Sequence, residues 1–158
     1  MRRVRAHVPV TLQEHAEVRL PAEVAHYLAT VLRLRSGDPV VLFDGSGRDY
    51  PAVLTSIHRG GATATTGAAE SPGAESPLAI TLALGVSRGE RMDYAIQKAV
   101  ELGVAGIVPL LTARTTVKLD ARRAASRQQH WRRVIASACE QSGRSRLPEI
   151  APVRGLQE

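Results

Sequence analysis

"LAITLALGVSRGERMDYAIQKAVELGVAGIVPLL", residues Leu78 to Leu111, decides the fold class. It opens on a continuous apolar run, "LAITLALGV", as expected of a strand buried in a parallel sheet. It then turns helical. Met92, Ala95, Ile96, Ala99 and Val100 recur at helical spacing and form one apolar stripe. Ser87 and Glu90 fit a capping box at the start of this helix, and Gly103 is placed to end it. "AGIVPLL" follows as a second buried strand. Downstream, "DARRAASRQQHWRRVIASACEQSGR" reads as a long helix with Trp131, Val134, Ile135 and Ala138 on its inner side, and "LPEIAPV" as the start of a third strand. The order β-α-β-α-β predicts a parallel sheet with right-handed crossovers.

The preceding residues follow a different pattern. "RRVRAHVP" reads as an edge strand, because its proline cannot donate to a ladder. "LPAEVAHYLATVLRLRSGD" predicts a helix from Pro21 to near Gly37, with Val24, Leu28, Val31 and Leu32 as its stripe. "PVVLFDGSGRDYPAVLTSIH" is a hairpin turned by "DGSG", and "ATATT" adds a short strand. "GAAESPGAESP", Gly67 to Pro77, then breaks the composition. It lacks periodicity, nearly repeats itself and reads as a linker or exposed loop. The expected division is 1–66, a linker at 67–77, and 78–158.

Composition sets the outer bounds. A chain of 158 residues, 44% apolar, is long enough for one core or two small domains. No apolar run reaches membrane-spanning length, and no signal-peptide core follows the basic "MRRVRAHVPV". The single cysteine, Cys139, excludes an internal disulfide and a cysteine-rich zinc site. The five histidines have no paired ligand spacing, so no metal is expected. A reduced cytoplasmic setting fits best. The net charge of +6 is mostly arginine, which partly reflects a GC-rich coding sequence. From Arg114 to Arg146 nine Lys/Arg stand against two acids. Such a block is either a solvated face or a surface for a polyanion. Aromatic residues are few, so bound RNA would be held by phosphate and shape contacts rather than by stacking.

Several residues invite a chemical reading. There is no Gly-rich phosphate loop and no nucleophile motif, so a hydrolase triad is not expected. "DGSG" is either a plain hairpin turn or an amide cradle for phosphate. His26 sits on the first helix, which Arg33 and Arg35 end, where cations suit the dipole. Lys98 and Glu101 are in the less favourable order for a helix pair, and a carboxylate in the last turn opposes the dipole. Local helix physics therefore leaves Glu101 unexplained. Thr112 and Arg114 fall just past the second strand, where open parallel sheets collect ligands. Glu140, Gln141 and Arg144 close the long helix. Two acids against helix dipoles, near arginines, point to tertiary ion pairs, a binding surface, or both.

Together these residues resemble the bacterial 16S ribosomal RNA uridine N3-methyltransferases, within the SPOUT (trefoil-knot) methyltransferases. The match runs from "HYLATVLRLRSGD" and "VLFDGSG" through "RMDYAIQKAVELGVAGIVPLLTART" and Trp131 to "ACEQSGRSRLPEI". "QKAVELGV" and "EQSGRSRLP" are its most specific parts. The resemblance implies mixed α+β and α/β architecture: an N-terminal PUA-like RNA-binding β-barrel, then the first part of a SPOUT α/β parallel-sheet domain. It implies methyl transfer from S-adenosylmethionine to N3 of a uridine in 16S ribosomal RNA of the small ribosomal subunit. It also implies a homodimer at full length, with no membrane and no metal. Family members continue with a "GPEGG"-type loop and an "LG-x-RILR-x-ETA"-type segment that form the knot and hold the donor. This sequence stops at "PVRGLQE", so donor-binding residues are expected outside it.

Under this resemblance Arg114 and Arg144 are the catalytic candidates, because cations favour the deprotonated base. Lys98, Glu101, Thr112, Glu140 and Gln141 would support the cleft, with Glu101 paired to Arg114. Arg2, Arg3, His26, Arg33, Arg122, Arg123, Arg127 and Arg133 would contact RNA. The alternatives are an RNA-binding module without catalysis and a methyltransferase for another RNA, such as transfer RNA.

Overall fold

The first strands of the chain curl into one sheet. In the computed structural model, which describes residues 4–58, 60–73, 75–113, 115 and 119–156, the chain divides into two units, Met1–Ala74 and Glu75–Glu158. The expectations on Arg2, Arg3 and Arg114 fall outside the described residues. Unit one contains β1 (Arg5–His7), β2 (Glu17–Leu20), α1 (Ala22–His26), β3 (Pro39–Phe43), β4 (Tyr50–His58) and β5 (Gly61–Thr66). Its five strands lie in the order β1-β3-β4-β5-β2, with β1 parallel to β3 and the other pairs antiparallel. A bulge between Leu54 and Ser56 increases the local twist and helps the sheet curl. The core holds Ala6, Val8, Leu20, Leu42, Leu54 and Ala64, closed by Ala25 and Leu28 from the helix.

That helix departs from the sequence pattern. Pro21 is its N-cap, α1 has only five residues, and the chain continues as a π-helical turn, Tyr27–Val31. The wider turn rotates the stripe: Ala25 and Leu28 are buried, while Val31 is 62% exposed. Arg33 then adopts φ 56°, and the Leu34 N–H donates to the Leu28 carbonyl. Arg33 and Arg35 therefore lie beyond the helix rather than at its end. In the β3–β4 turn, Asp44 accepts from the Leu12 N–H at 3.1 Å and the Ser46 N–H at 3.1 Å. The turn's own carboxylate thus occupies the Ser46 amide that a phosphate would need. Burial opposes ionisation of Asp44, but the Ser46 and Leu12 hydrogen bonds outweigh it and hold its pKa below the ordinary value.

The Gly67–Pro77 stretch is tied at several points. The Gly67 N–H donates to the Pro51 carbonyl, and Asp49 and Glu70 exchange two backbone hydrogen bonds, all within unit one. Glu75 belongs to unit two.

Unit two contains β6 (Thr81–Gly85), α2 (Glu90–Glu101), β7 (Gly106–Leu111), α3 (Ala121–Ser142), β8 (Glu149–Ile150) and β9 (Arg154–Gly155). The strands are parallel, in the order β6-β7-β8, and β9 extends the pairing along β7. This is the expected β-α-β-α-β unit. The register aligns Leu82 with Ile107 and Ile107 with Ile150, so these three share a face. Helices α2 and α3 pack on each other, burying Met92, Ile96 and Val100 from one and Trp131, Ile135, Ala138 and Cys139 from the other.

Two sequence expectations need correction here. The run Leu78–Val86 is not a strand buried on both faces. β6 lies at the sheet edge with alternating exposure, and Leu78 and Ile80 are 64% and 54% exposed. Its apolar residues before Thr81 precede the ladder altogether. Nor does Ser87 cap α2. Gly89 is the N-cap at φ 59° and makes no side-chain bond, so Ser87 stands two residues outside the helix. The other ends follow simple chemistry. Asp120 caps α3 by accepting from the Arg123 N–H at 2.8 Å. Gly103, at φ 95°, ends α2: its N–H donates to Val100 and the Val104 N–H to Ala99, a Schellman pattern.

Candidate functional site

The last turns of α2 and α3 gather most of the residues singled out in the sequence. Glu101 has local partners. Lys98 Nζ donates to its Oε2 at 2.7 Å, and Gln97 Nε2 donates to its Oε1 at 2.9 Å. The Lys98 ammonium also lies 5.6 Å from the Tyr94 ring centroid. The Glu101 hydrogen bond raises the Lys98 pKa, and the Lys98 and Gln97 donors lower that of Glu101. Both oxygens of Glu101 are thus engaged on its own helix, and the other half of the expected Glu101–Arg114 pair lies outside the described residues.

Arg144 is placed very differently. It follows Gly143, whose φ of 83° ends α3, and is only 4% exposed. Its Nε and Nη2 donate to Glu75 Oε2 at 3.1 and 2.8 Å. Its Nη1 donates to the carbonyls of Val100 and Val104, each at 2.9 Å. These carbonyls lie where α2 runs out of intrahelical donors. Glu75 Oε1 accepts from the N–H groups of Ser145 and Arg146 at 3.2 and 2.9 Å. One arginine and one glutamate therefore bind three segments together. Burial opposes ionisation of Glu75, but the Arg144 hydrogen bonds and the Arg146 and Ser145 amides outweigh it, and its pKa falls below the ordinary value. The Arg144 guanidinium, a catalytic candidate in the sequence, faces two protein carbonyls and a carboxylate in the structure. Glu75 was missed because it sits in a Gly/Ala/Ser/Pro-rich stretch; the available signal was an acid in that stretch and an arginine just after a helix-ending glycine.

The remaining candidates spread along the elements. Thr112 follows β7, and its N–H donates to Thr115 Oγ1 at 2.9 Å, closing the turn. Glu140 and Gln141 lie in the last turn of α3. Arg122, Arg123 and Arg133 are exposed on α3, and Arg127 is half-buried. His26 and Arg33 are exposed in unit one, where His26 Nδ1 lies 3.4 Å from the Thr30 hydroxyl. Between α2 and α3 runs an open cleft of about 400 Å³ lined by Asp93, Gln97, Arg133, Val134, Ser137, Ala138 and Gln141. At its edge His130 Nε2 and Asp93 Oδ2 are 2.7 Å apart. Among the described residues no group of three His, Cys, Asp or Glu side chains could hold a metal ion, and no helix is long and apolar enough to cross a membrane.

Known proteins share this architecture. Residues 74–158 match the family described as RNA methyltransferase domain, and residues 20–66 match the RNA methyltransferase PUA domain. Ribosomal RNA small subunit methyltransferase E of Bacillus subtilis is 26% identical over 93% of this chain and 57% of its own length. The protein of the same name from Synechocystis is 35% identical over 86% of this chain and 43% of its own. Among solved structures, ribosomal RNA small subunit methyltransferase E from Neisseria gonorrhoeae, bound to S-adenosyl methionine, superimposes with a TM-score of 0.93 at 40% identity. That alignment covers 98% of this chain and 63% of the Neisseria chain. A putative methyltransferase from Legionella pneumophila, also in complex with this cofactor, gives 0.92 at 35% identity, over 98% and 64% of the two chains. The chain spans 43 to 57% of those two curated relatives and about 64% of the solved ones. With more than half of its residues matched by the methyltransferase domain and its curled sheet by the accompanying PUA domain, the chain belongs to the RNA methyltransferase family.

Proposed function

We propose that these residues form the RNA-contacting and sheet-building part of an S-adenosylmethionine-dependent methyltransferase that modifies N3 of a uridine in 16S ribosomal RNA. The observation that carries this reading is the likeness, over 98% of the chain, to the cofactor-bound Neisseria structure. In this reading 1–66 is the RNA-binding barrel, 67–77 the connector and 78–158 the first part of a SPOUT domain. The complete enzyme is a cytoplasmic homodimer acting on the small ribosomal subunit. The donor, when bound, supplies an electrophilic methyl group. We assign no donor contact to the α2–α3 cleft, whose lining holds no aromatic side chain to stack on an adenine ring. We place the donor pocket outside these 158 residues.

Uracil N3 carries a proton that must leave before the nitrogen can attack. A cation beside the base lowers the cost of the resulting anion. Arg114 keeps that assignment, with Thr112, Lys98, Glu101, Glu140 and Gln141 shaping the surrounding helix ends. RNA would be gripped by Arg2, Arg3, His26 and Arg33 from unit one and by Arg122, Arg123, Arg127 and Arg133 from α3. The test is a chimera that joins these residues to the remaining segment of the Neisseria relative. Incubated with the donor and small subunits, it should place a methyl on uridine N3, read by mass spectrometry of digested RNA. Methylation of another atom, or of transfer RNA alone, would overturn the assignment.

A second reading, an RNA-binding module without catalysis, is favoured by α3, which carries five arginines and one acid between Ala121 and Ser142. Calorimetry separates the two. S-adenosylmethionine binding to the 158-residue chain would place the donor site within it, which overturns the placement of the pocket and counts against the module without catalysis. Salt-sensitive RNA binding without donor binding fits either, and the chimera then decides.

A further inference from the structure

The cleft between α2 and α3 has an ordered construction, of which the methyl-transfer reading uses only Arg133 and Gln141. One wall is the ladder Arg133, Ser137 and Gln141, spaced at i, i+4 and i+8 on α3; the other is Asp93 and Gln97, at i and i+4 on α2. Val134 and Ala138 supply the apolar part of the lining. We propose that this cleft is a subsite for one nucleotide of a single-stranded RNA segment, its phosphate on Arg133 and its ribose and base edge on Gln97 and Ser137. The inference rests on the reading of the chain as an RNA-acting protein.

Several features support that occupant. Arg133 is exposed and pairs with no carboxylate among the described residues, so its guanidinium is open to a phosphate. Gln97 has a fixed orientation. A carboxylate only accepts, so the Gln97 nitrogen must face Glu101, at 2.9 Å, which leaves the amide oxygen to accept from a hydroxyl or base N–H. Ser137 adds an exposed hydroxyl on the opposite wall. The volume, about 400 Å³, suits a nucleotide-sized group, and the absence of an aromatic lining residue suits edge and backbone contacts rather than stacking. An acidic peptide is the other anionic partner that α3 could attract. Asp93 in the wall disfavours it, because a peptide carboxylate there meets like charge.

The probe is a fluorescein-labelled oligouridylate of about 12 nucleotides, titrated with the chain at fixed low salt and read by anisotropy. Ser137→Trp fills the cleft without changing charge. Arg133→Glu and Arg132→Glu change charge equally, but Arg132 is exposed and outside the lining. Ser137→Trp and Arg133→Glu should each weaken binding about tenfold, and Arg132→Glu less than about threefold. All three positions are exposed, and unchanged Trp131 fluorescence confirms that unit two remains folded. Wild-type affinity in Ser137→Trp, or equal losses in the two arginine variants, would overturn the subsite while leaving an RNA-binding face. Tighter binding of polyglutamate than of oligouridylate by the wild type would overturn the RNA occupant. No oligouridylate binding by any protein, wild type included, would strike the RNA reading itself.

Discussion

Lys98 and Glu101 meet on the surface of α2 at 2.7 Å, whereas Arg144 and Glu75 meet at 2.8 Å with the arginine only 4% exposed. The bond lengths are nearly the same and the chemistry is the same, a carboxylate with a cation at the end of one helix. The partners are 3 residues apart in the first pair and 69 in the second. Water can replace either member of the surface pair. It cannot reach the Arg144 guanidinium, which also holds the carbonyls of Val100 and Val104. Length does not distinguish a decorative pair from a structural one. Burial and the number of segments joined do.

The largest expected effect follows from cutting the buried pair. Arg144→Met removes the hydrogen bonds to Glu75, Val100 and Val104 and leaves Glu75 facing two backbone amides without its cation. We expect a loss of about 3–5 kcal/mol in unit two. Trp131, the chain's one tryptophan and 0% exposed, reports on that unit by fluorescence during urea denaturation. Glu75→Gln keeps an acceptor for the Ser145 and Arg146 amides and should cost less. It also isolates a pH effect. The folded pKa of Glu75 is depressed, so its stabilisation is fully present above the ordinary value of 4.5 and is lost as pH falls through the lower folded value. The fall in the Trp131 midpoint below pH 4.5 should therefore be shallower in Glu75→Gln. An acid limb identical to that of the wild type would remove Glu75 from the account.

An intermediate effect is expected at the glycines that end the two helices. Gly103 and Gly143 both have left-handed backbone, at φ 95° and 83°. A Cβ on Gly103 would sit 3.1 Å from Ser76 Cβ, while one on Gly143 meets nothing within 4 Å. Gly143→Ala should cost about 1 kcal/mol, the strain of the conformation alone. Gly103→Ala should cost more, about 2 kcal/mol, because the segment beside Glu75 must also shift. Equal midpoints for the two would mean that the Ser76 contact relaxes freely.

The same contrast explains what the sequence could and could not reveal. Patterns that repeat within one element were readable: the α2 and α3 stripes, the β3–β4 hairpin and the β-α-β-α-β order. Features set by one residue's backbone were not. The π-helical turn at Tyr27–Val31 shifted the α1 stripe off Val31, and Gly89 took the cap that Ser87 was expected to form. The apolar run before Gly85 carries no mark of its place at the sheet edge. At the helix ends, Glu101 stood out as a carboxylate that the helix dipole does not favour, and Arg144 as one of the residues closing the long helix. The Arg114 expected beside Glu101 lies outside the described residues, and no particular partner was expected for Arg144. The Arg144 partner is 69 residues away in a stretch without periodicity, and the Glu101 partners are on its own preceding turn.

Glu101→Gln tests the small end of the comparison. Lys98 and Glu101 are solvated, and water replaces what the pair loses, so the urea midpoint should be unchanged. A fall comparable to that of Glu75→Gln would break the distinction between the two pairs. The substitution should instead be visible in the cleft. A neutral amide at position 101 can donate as well as accept, so it no longer forces the Gln97 nitrogen toward it. Gln97 is then free to turn its amide, and oligouridylate affinity should fall about twofold while stability stays constant. A change in affinity without a change in stability would give Glu101 the purpose that helix electrostatics denies it: orienting the neighbouring amide that lines the cleft, with no part in holding the helix.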